Sequence, residues 1–234
     1  AGSYYAAVAP VKFESGFTVY LVRADGAAGV IGTDKTMEVV RNGGTNLKDV
    51  VSISEWTIAI STKDQLFAWG KNWGTTDKVT LLADIDMENE PWTPIGNASK
   101  TFNGVFDGNG KKIYNLNVNS NTYAGFIGHL SGQGVVKNLT IGSSDGLTYD
   151  NSSAIVHTPS KNATGWSYVG AVAKLSSHAS LENVTNFARL EIPDTDFTPQ
   201  ACMGGMTGIN QGHGNITDCK NYGEINYLET QGVT

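Results

Sequence analysis

The sequence predicts an all-β protein, most of it a solenoid of stacked coils. Three observations carry that expectation. Charged residues make up only 16% of the 234-residue chain, against about 25% in ordinary globular domains. Gly (28) and Asn (20) are abundant and helix-forming stretches are scarce, so short strands and many turns are favoured. From about Lys78 onward a strand-turn unit recurs. The net charge is −6 and no basic cluster occurs, which argues against a nucleic-acid partner. No apolar run approaches the ~20 residues of a membrane-spanning helix. No signal peptide is visible, and the chain opens at Ala1 in strand-like sequence, as a mature fragment would. Cys202 and Cys219 are too few for a disulfide framework or a zinc pattern and read as two part-buried thiols, with a single bridge open to a secreted chain.

Taken in order, residues 1–52 hold the strand-like runs "SYYAAVAPVKF", "GFTVYLVRA" and "KTMEVVRNG", divided by Gly and Asp. Three strands cannot easily stand alone, so they are expected to close a β-sandwich or to dock on the solenoid C-terminal to them. "STKDQLFAWGKNWG", Ser61 to Gly74, is the one good helix. Ser61 or Thr62 can cap it, Asp64 and Gln65 suit the first turn, and Leu66, Trp69 and Trp73 form an apolar stripe able to cover the end of a core. Residues 53–234 are therefore assigned to the solenoid and its capping helix.

The repeat emerges when Gly125, Gly170 and Gly205 are aligned. Phe126, Ala171 and Met206 then coincide, as do Val136, Leu181 and Ile216, and Leu139, Val184 and Cys219. Leu130 matches Leu175, with Asn210 in the third copy. Thirteen residues after each glycine stands Asn138, Asn183 or Asp218. A shorter early copy after Gly104 would place Ile113, Asn115 and Leu116 beside Val136, Asn138 and Leu139. Residues 145–165 and 191–200 are variable insertions between coils. A fixed core with insertions on one side is how solenoids are built. Asparagine suits the shared turn because it tolerates left-handed backbone and can bond its neighbour in the next coil. This gives a structural reason for two of the six Asn-x-Ser/Thr triplets, at Asn138 and Asn183.

The ordered string "ISTKDQLFAW…VTLLADIDM…WTPIG…FNGVFDGNGKKIYNL…GFIGHLSGQGVVKNLTI", from about Ile60 to Ile225, resembles bacterial surface proteins carrying GLUG repeats. The tetrad maps to Gly125-Phe126-Ile127-Gly128. It is altered at Gly170-Ala171-Val172-Ala173 and kept in outline at Gly205-Met206-Thr207-Gly208. The resemblance implies a right-handed parallel β-helix with an N-terminal capping helix, and a core place for Trp92. It also implies a surface protein, often a lipoprotein or adhesin-like chain, of gut Bacteroidetes or some Gram-positive bacteria. "YYAAVAP…GFTVYLV…ADG" resembles the last strands of fimbrillin-like or immunoglobulin-like domains of Bacteroidetes surface proteins.

Gly212-His213-Gly214 matches one signature of polygalacturonases, but its companions are missing. Arg23, Arg41 and Arg189 lie in no Arg-x-Lys, and no Asn-Thr-Asp or Asp-Asp occurs. Glycosidase chemistry needs paired carboxylates. His213 instead falls eight residues after Gly205, as His178 follows Gly170 and Gln133 follows Gly125, which marks a polar turn position. Asp84 and Asp86 have the Asp-x-Asp spacing of a weak calcium site, with solvated carboxylates as the alternative. "DGNG", Asp107 to Gly110, reads as a type I′ or related turn. No Gly-x-Ser-x-Gly occurs, neither cysteine has a catalytic flank, and no cofactor is implied. Tyr149, Trp166, Tyr168 and Phe197, in or beside the insertions, are the candidate ligand-binding residues, since exposed aromatics stack on sugars and peptides. The expectation is a non-enzymatic extracellular protein, anchored at the cell surface through another region. Its expected partners are a host or microbial glycan or surface protein, or an end-to-end contact with itself. The alternative is a polysaccharide lyase or hydrolase on a β-helix.

Overall fold

A computed structural model describes residues 11–15, 17–22, 27–33, 36–39, 56–161, 165–193 and 200–227. The chain divides into two compact units, Ala1–Ile58 and Ala59–Thr234. In the first unit, Val11–Phe13 pairs antiparallel with Met37–Val39, and Phe17–Val22 pairs antiparallel with Ala27–Thr33. Trp56, Thr57 and Ile58 extend that hairpin beyond Gly29, Ala28 and Ala27. The small-residue strand "AAGVIGT" has no sequence signal of its own; the backbone pairing with Phe17–Val22 makes it a strand.

In the second unit the chain passes through four sheets in a repeating order, and the strands within each sheet pair in parallel. Sheet 1 holds Lys78–Leu81, Val105–Tyr114, Val135–Ile141, Ser180–Asn186 and Asn215–Thr217. Sheet 2 holds Pro91–Trp92, Asn117–Ser120, Ala154–His157, Arg189–Ile192 and Ile225–Tyr227. Sheet 3 holds Tyr123–Ala124, Ser167–Val169 and Ala201–Met203. Sheet 4 holds Ile127–Leu130, Val172–Ser176 and Thr207–Gln211. One passage through the four sheets is a coil, and each coil's strands lie in register on those of the coil before.

The register stacks like on like. Val79, Phe106, Val136, Leu181 and Ile216 form one column, and Trp92, Val118, Ile155, Leu190 and Ile225 another. The first four members of each are buried. In the last described coil, Ile216 is 39% and Ile225 50% exposed. Burial of one large apolar side chain is worth ~1.5–3 kcal/mol, so each coil stabilises the one before it. The tetrad glycines follow from this close approach: a Cβ on Gly125 would stand 2.7 Å from the Ala173 nitrogen. Ile127, Val172 and Thr207 stack as the repeat predicts.

The corner of sheet 1 is left-handed. Asn138, Asn183 and Asp218 have φ of 51°, 53° and 52°, which asparagine and aspartate tolerate better than most residues. The bend lets Val136, Leu139 and Ile141 all point inward although strict alternation would not. Asn183 Nδ2 donates to Asn138 Oδ1 at 3.1 Å, and Asn138 Nδ2 donates to Asp107 Oδ1 at 3.2 Å. The early copy is placed differently from the sequence expectation. Val136 lies on Phe106 and Ile141 on Ile113, so Gly104 corresponds to Gly134 and Asn115 is no member of the Asn138 column. Asn115 serves a separate left-handed position, φ 52°, and donates to Asp86 Oδ1 at 2.7 Å. "DGNG" is likewise no chain reversal. It is a bulge inside the strand Val105–Tyr114, with Asn109 and Gly110 at positive φ.

The helix Lys63–Asn72 forms as expected. The Thr62 hydroxyl accepts from Gln65 N, and the Gln65 side chain accepts from Ser61 N at 2.7 Å. Leu66 and Trp69 are buried. The Trp69 ring packs on Phe102 and Phe106 at 5.9 and 5.5 Å, while its Nε1 donates to Asp77 at 2.9 Å. Trp92 is a core residue, stacked on Phe126 at 5.3 Å.

The Asn138 corner is directly testable. Asn138→Ala loses two side-chain bonds and forces left-handed backbone on alanine, so it is expected to cost about 2–3 kcal/mol in chemical denaturation. Asn138→Gly, which restores backbone freedom, is expected to cost about half that. Equal losses would remove the backbone contribution.

Candidate functional site

Sheets 3 and 4 and the turns flanking them build one side of each coil. Residues 122–134, 165–179 and 200–214 make this side in three successive coils, and none of them is Asp or Glu. Among the described residues this side therefore carries no carboxylate; Asp194 and Asp196, which precede its third segment in sequence, lie outside the described residues. Strand alternation sends Ser167 and Val169 inward and Tyr168 outward. Tyr123 lies directly in register with Tyr168, and their rings are 5.6 Å apart. The Lys174 Nζ lies 5.1 Å from the Tyr168 ring centre. The His129 ring stacks on Tyr123 at 5.7 Å. His129 pairs in register with Lys174, and Cys202 follows Tyr168 in the third coil.

The polar heads of this face divide into committed and free groups. His129 is committed: Nδ1 lies 3.2 Å from the Asn97 carbonyl and Nε2 lies 2.9 Å from Ser176 Oγ. Burial, and secondarily the Lys174 ammonium, push its pKa below the ordinary 6.5. Burial, with Tyr168 beside it, pushes the Tyr123 phenol up. Among the described residues the Tyr123 and Tyr168 hydroxyls hold no hydrogen bond, and Lys174 has no carboxylate partner. By contrast Lys63 is paired with Glu88 and Glu90, and Lys112 with Asp84. Trp166, two residues before Tyr168 along the extended chain, is 56% exposed.

The sequence-derived candidates meet different surroundings. Tyr168 lies in this face. The Tyr149 hydroxyl donates to Asn151 Oδ1 at 3.0 Å, which also accepts from Arg189 at 3.1 Å. That ties Tyr149 to sheet 2 neighbours. Its insertion is ordered by the Asp145 carboxylate, which accepts from the Thr148 hydroxyl, Leu147 N, Ser143 Oγ and Thr148 N. These bonds, the Thr148 hydroxyl foremost, hold Asp145 well below the usual carboxylate range. Phe197 lies outside the described residues.

Tyr123, His129 and Lys174 have no motif. The aligned repeat could have found Tyr123, which precedes Gly125 by two residues as Tyr168 precedes Gly170.

Asp84 and Asp86 have separate structural duties. Asp84 forms a 2.7 Å ion pair with Lys112 and accepts from its backbone N. Burial raises the Asp84 pKa, but Lys112 outweighs it and the net direction is down. Asp86 accepts from Glu88 N and Asn115. Among the described residues no group of three or more His, Cys, Asp or Glu is placed to hold a metal ion. Cys202 and Cys219 are free thiols.

His178 and His213 stack at 5.7 Å in adjacent coils, as the repeat predicts. Their side chains hold no hydrogen bond or ion pair among the described residues. A catalytic imidazole is normally oriented by a partner.

No protein-family model matches the chain, and no solved structure matches it. A Gly-rich membrane protein of Evansella cellulosilytica is 26% identical over 125 residues, covering 53% of this chain and 14% of that protein. Halomucin of Haloquadratum walsbyi is 32% identical over 155 residues, covering 58% of this chain and 2% of its own length. The chain therefore matches a small part of each relative. Among the described residues, no helix is long and apolar enough to cross a membrane.

The electrostatics of the face give a direct test. Lys174→Met removes the neighbouring cation, so the His129 titration midpoint is expected to rise towards its ordinary value in an NMR titration. An unmoved midpoint would place the ammonium away from the ring.

Proposed function

We propose that this chain is the ligand-binding part of a non-catalytic, adhesin-like bacterial cell-surface protein. Its second unit is read as a right-handed parallel β-helix of GLUG type. The cyclic order of four parallel sheets supports the coil, and the right-handed preference of parallel crossovers supports its hand. The name of the Evansella relative, a membrane protein, is in keeping with a surface location. The single observation that carries binding is the side on which no described residue is acidic. There, among the described residues, two phenol hydroxyls and an ammonium stand without hydrogen-bonding or carboxylate partners beside an exposed tryptophan. Ring faces and hydrogen-bond donors together are what a glycan needs. The bare His178–His213 stack and the structural partners of Asp84 and Asp86 favour binding over bond cleavage.

A glycan array probed with the soluble chain is expected to give discrete signals that Trp166→Ala diminishes. Incubating each bound polysaccharide with the protein should release no reducing ends and no unsaturated products. A silent array would reduce the chain to a spacer, and product release would make it a lyase or hydrolase.

A further inference from the structure

We propose that the side formed by sheets 3 and 4 takes an acidic glycan, a pyranose chain bearing carboxylate or sulfate groups. This rests on the glycan-binding reading above and names its ligand class. Among the described residues, Tyr123 Oη, Tyr168 Oη and Lys174 Nζ are neighbouring polar groups of this side that hold no hydrogen bond or ion pair. Each can donate, and the ammonium can only donate. An anionic substituent brings acceptors alone and neutralises the Lys174 ammonium.

The distribution of charge points the same way. The chain carries a net −6, which disfavours an anion almost anywhere on it. The three segments bring no carboxylate of their own to this side, and Lys174 stands among them. Lys174 is the one Lys or Arg in these segments. Lys174 lies beside the Tyr168 ring and, among the described residues, pairs with no carboxylate. Trp166 supplies an exposed ring for the C–H face of a sugar, and the donors beside it select the acidic substituent.

The side chains have separable roles. Trp166 contributes affinity for the sugar ring whatever its charge. Lys174 contributes the preference for acid, with the Tyr168 hydroxyl as a second donor.

Calorimetric titration with three probes tests this: oligogalacturonates, chondroitin sulfate oligosaccharides and neutral galacto-oligosaccharides. The wild-type chain is expected to bind at least one acidic probe about tenfold more tightly than the neutral one, the scale of one charge-assisted bond. The two acidic arms distinguish carboxylate from sulfate. Lys174→Met, which keeps the apolar stem, is expected to remove that preference by weakening the acidic probes more than the neutral one. Tyr168→Phe should weaken acidic binding and keep the ring. Trp166→Ala should weaken every probe. Circular dichroism establishes that each variant is folded. Neutral binding that depends on Trp166, without any acidic preference, would overturn the acidic assignment and leave the glycan reading intact. Absence of binding to all three probes would overturn the acidic assignment, and a silent glycan array would remove the glycan reading with it. Acidic binding unaffected by Lys174→Met would move the site elsewhere.

Discussion

Parallel register between successive coils is the constraint on which the second unit depends. In the two apolar columns, each inward side chain before the last described coil is covered by its counterpart one coil further on. The column from Val79 to Leu181 is buried throughout, while Ile216, the same position in the last described coil, is 39% exposed. Close stacking also explains the tetrad glycines, because a Cβ on Gly170 would stand 2.8 Å from the Thr207 Cα. The helix Lys63–Asn72 packs Trp69 on Phe102 and Phe106 and covers apolar surface there.

The same register organises the outside. A residue type placed at one outward position recurs one coil later, so Tyr168 lies on Tyr123 and His213 on His178. Asn183 bonds Asn138 by the same rule. These are three different uses of one geometry. The asparagines stabilise a left-handed corner, the histidines fill a tight exposed turn, and the tyrosines with Lys174 make a face. Away from this face, Lys63, Lys112 and Lys137 pair with carboxylates.

Much of the second unit is legible in the sequence because a repeat is a statement about space. Aligning Gly125, Gly170 and Gly205 places Leu130 on Leu175 and Val136 on Leu181, as the structure has them. It also turns His213 from a candidate catalyst into the partner of His178. The early copy is misplaced when asparagine serves as the anchor. Asn115 and Asn138 share a left-handed backbone but occupy different corners, and the bulge at Asn109–Gly110 hides the true match. Exposure of aromatics in insertions is a weaker guide: Tyr149 is held by Asn151, and Tyr168 gains its significance from Tyr123 and Lys174. Lys174 has no signal in sequence, because its interest lies in its place beside the Tyr168 ring with no carboxylate partner among the described residues. The strand Ala27–Thr33 escapes sequence reading for a related reason, since its small residues become a strand only through pairing.

The central claim is that residues some 35 to 45 positions apart in sequence lie directly on one another in consecutive coils. Nuclear Overhauser effects between the ring protons of Tyr123 and Tyr168, and between those of His178 and His213, test it most directly. Both sets of cross-peaks are expected in the same sample, at the 5.6 and 5.7 Å ring separations. Their absence, with Tyr168 or His213 instead giving cross-peaks to other coil positions, would contradict the register and the face built on it.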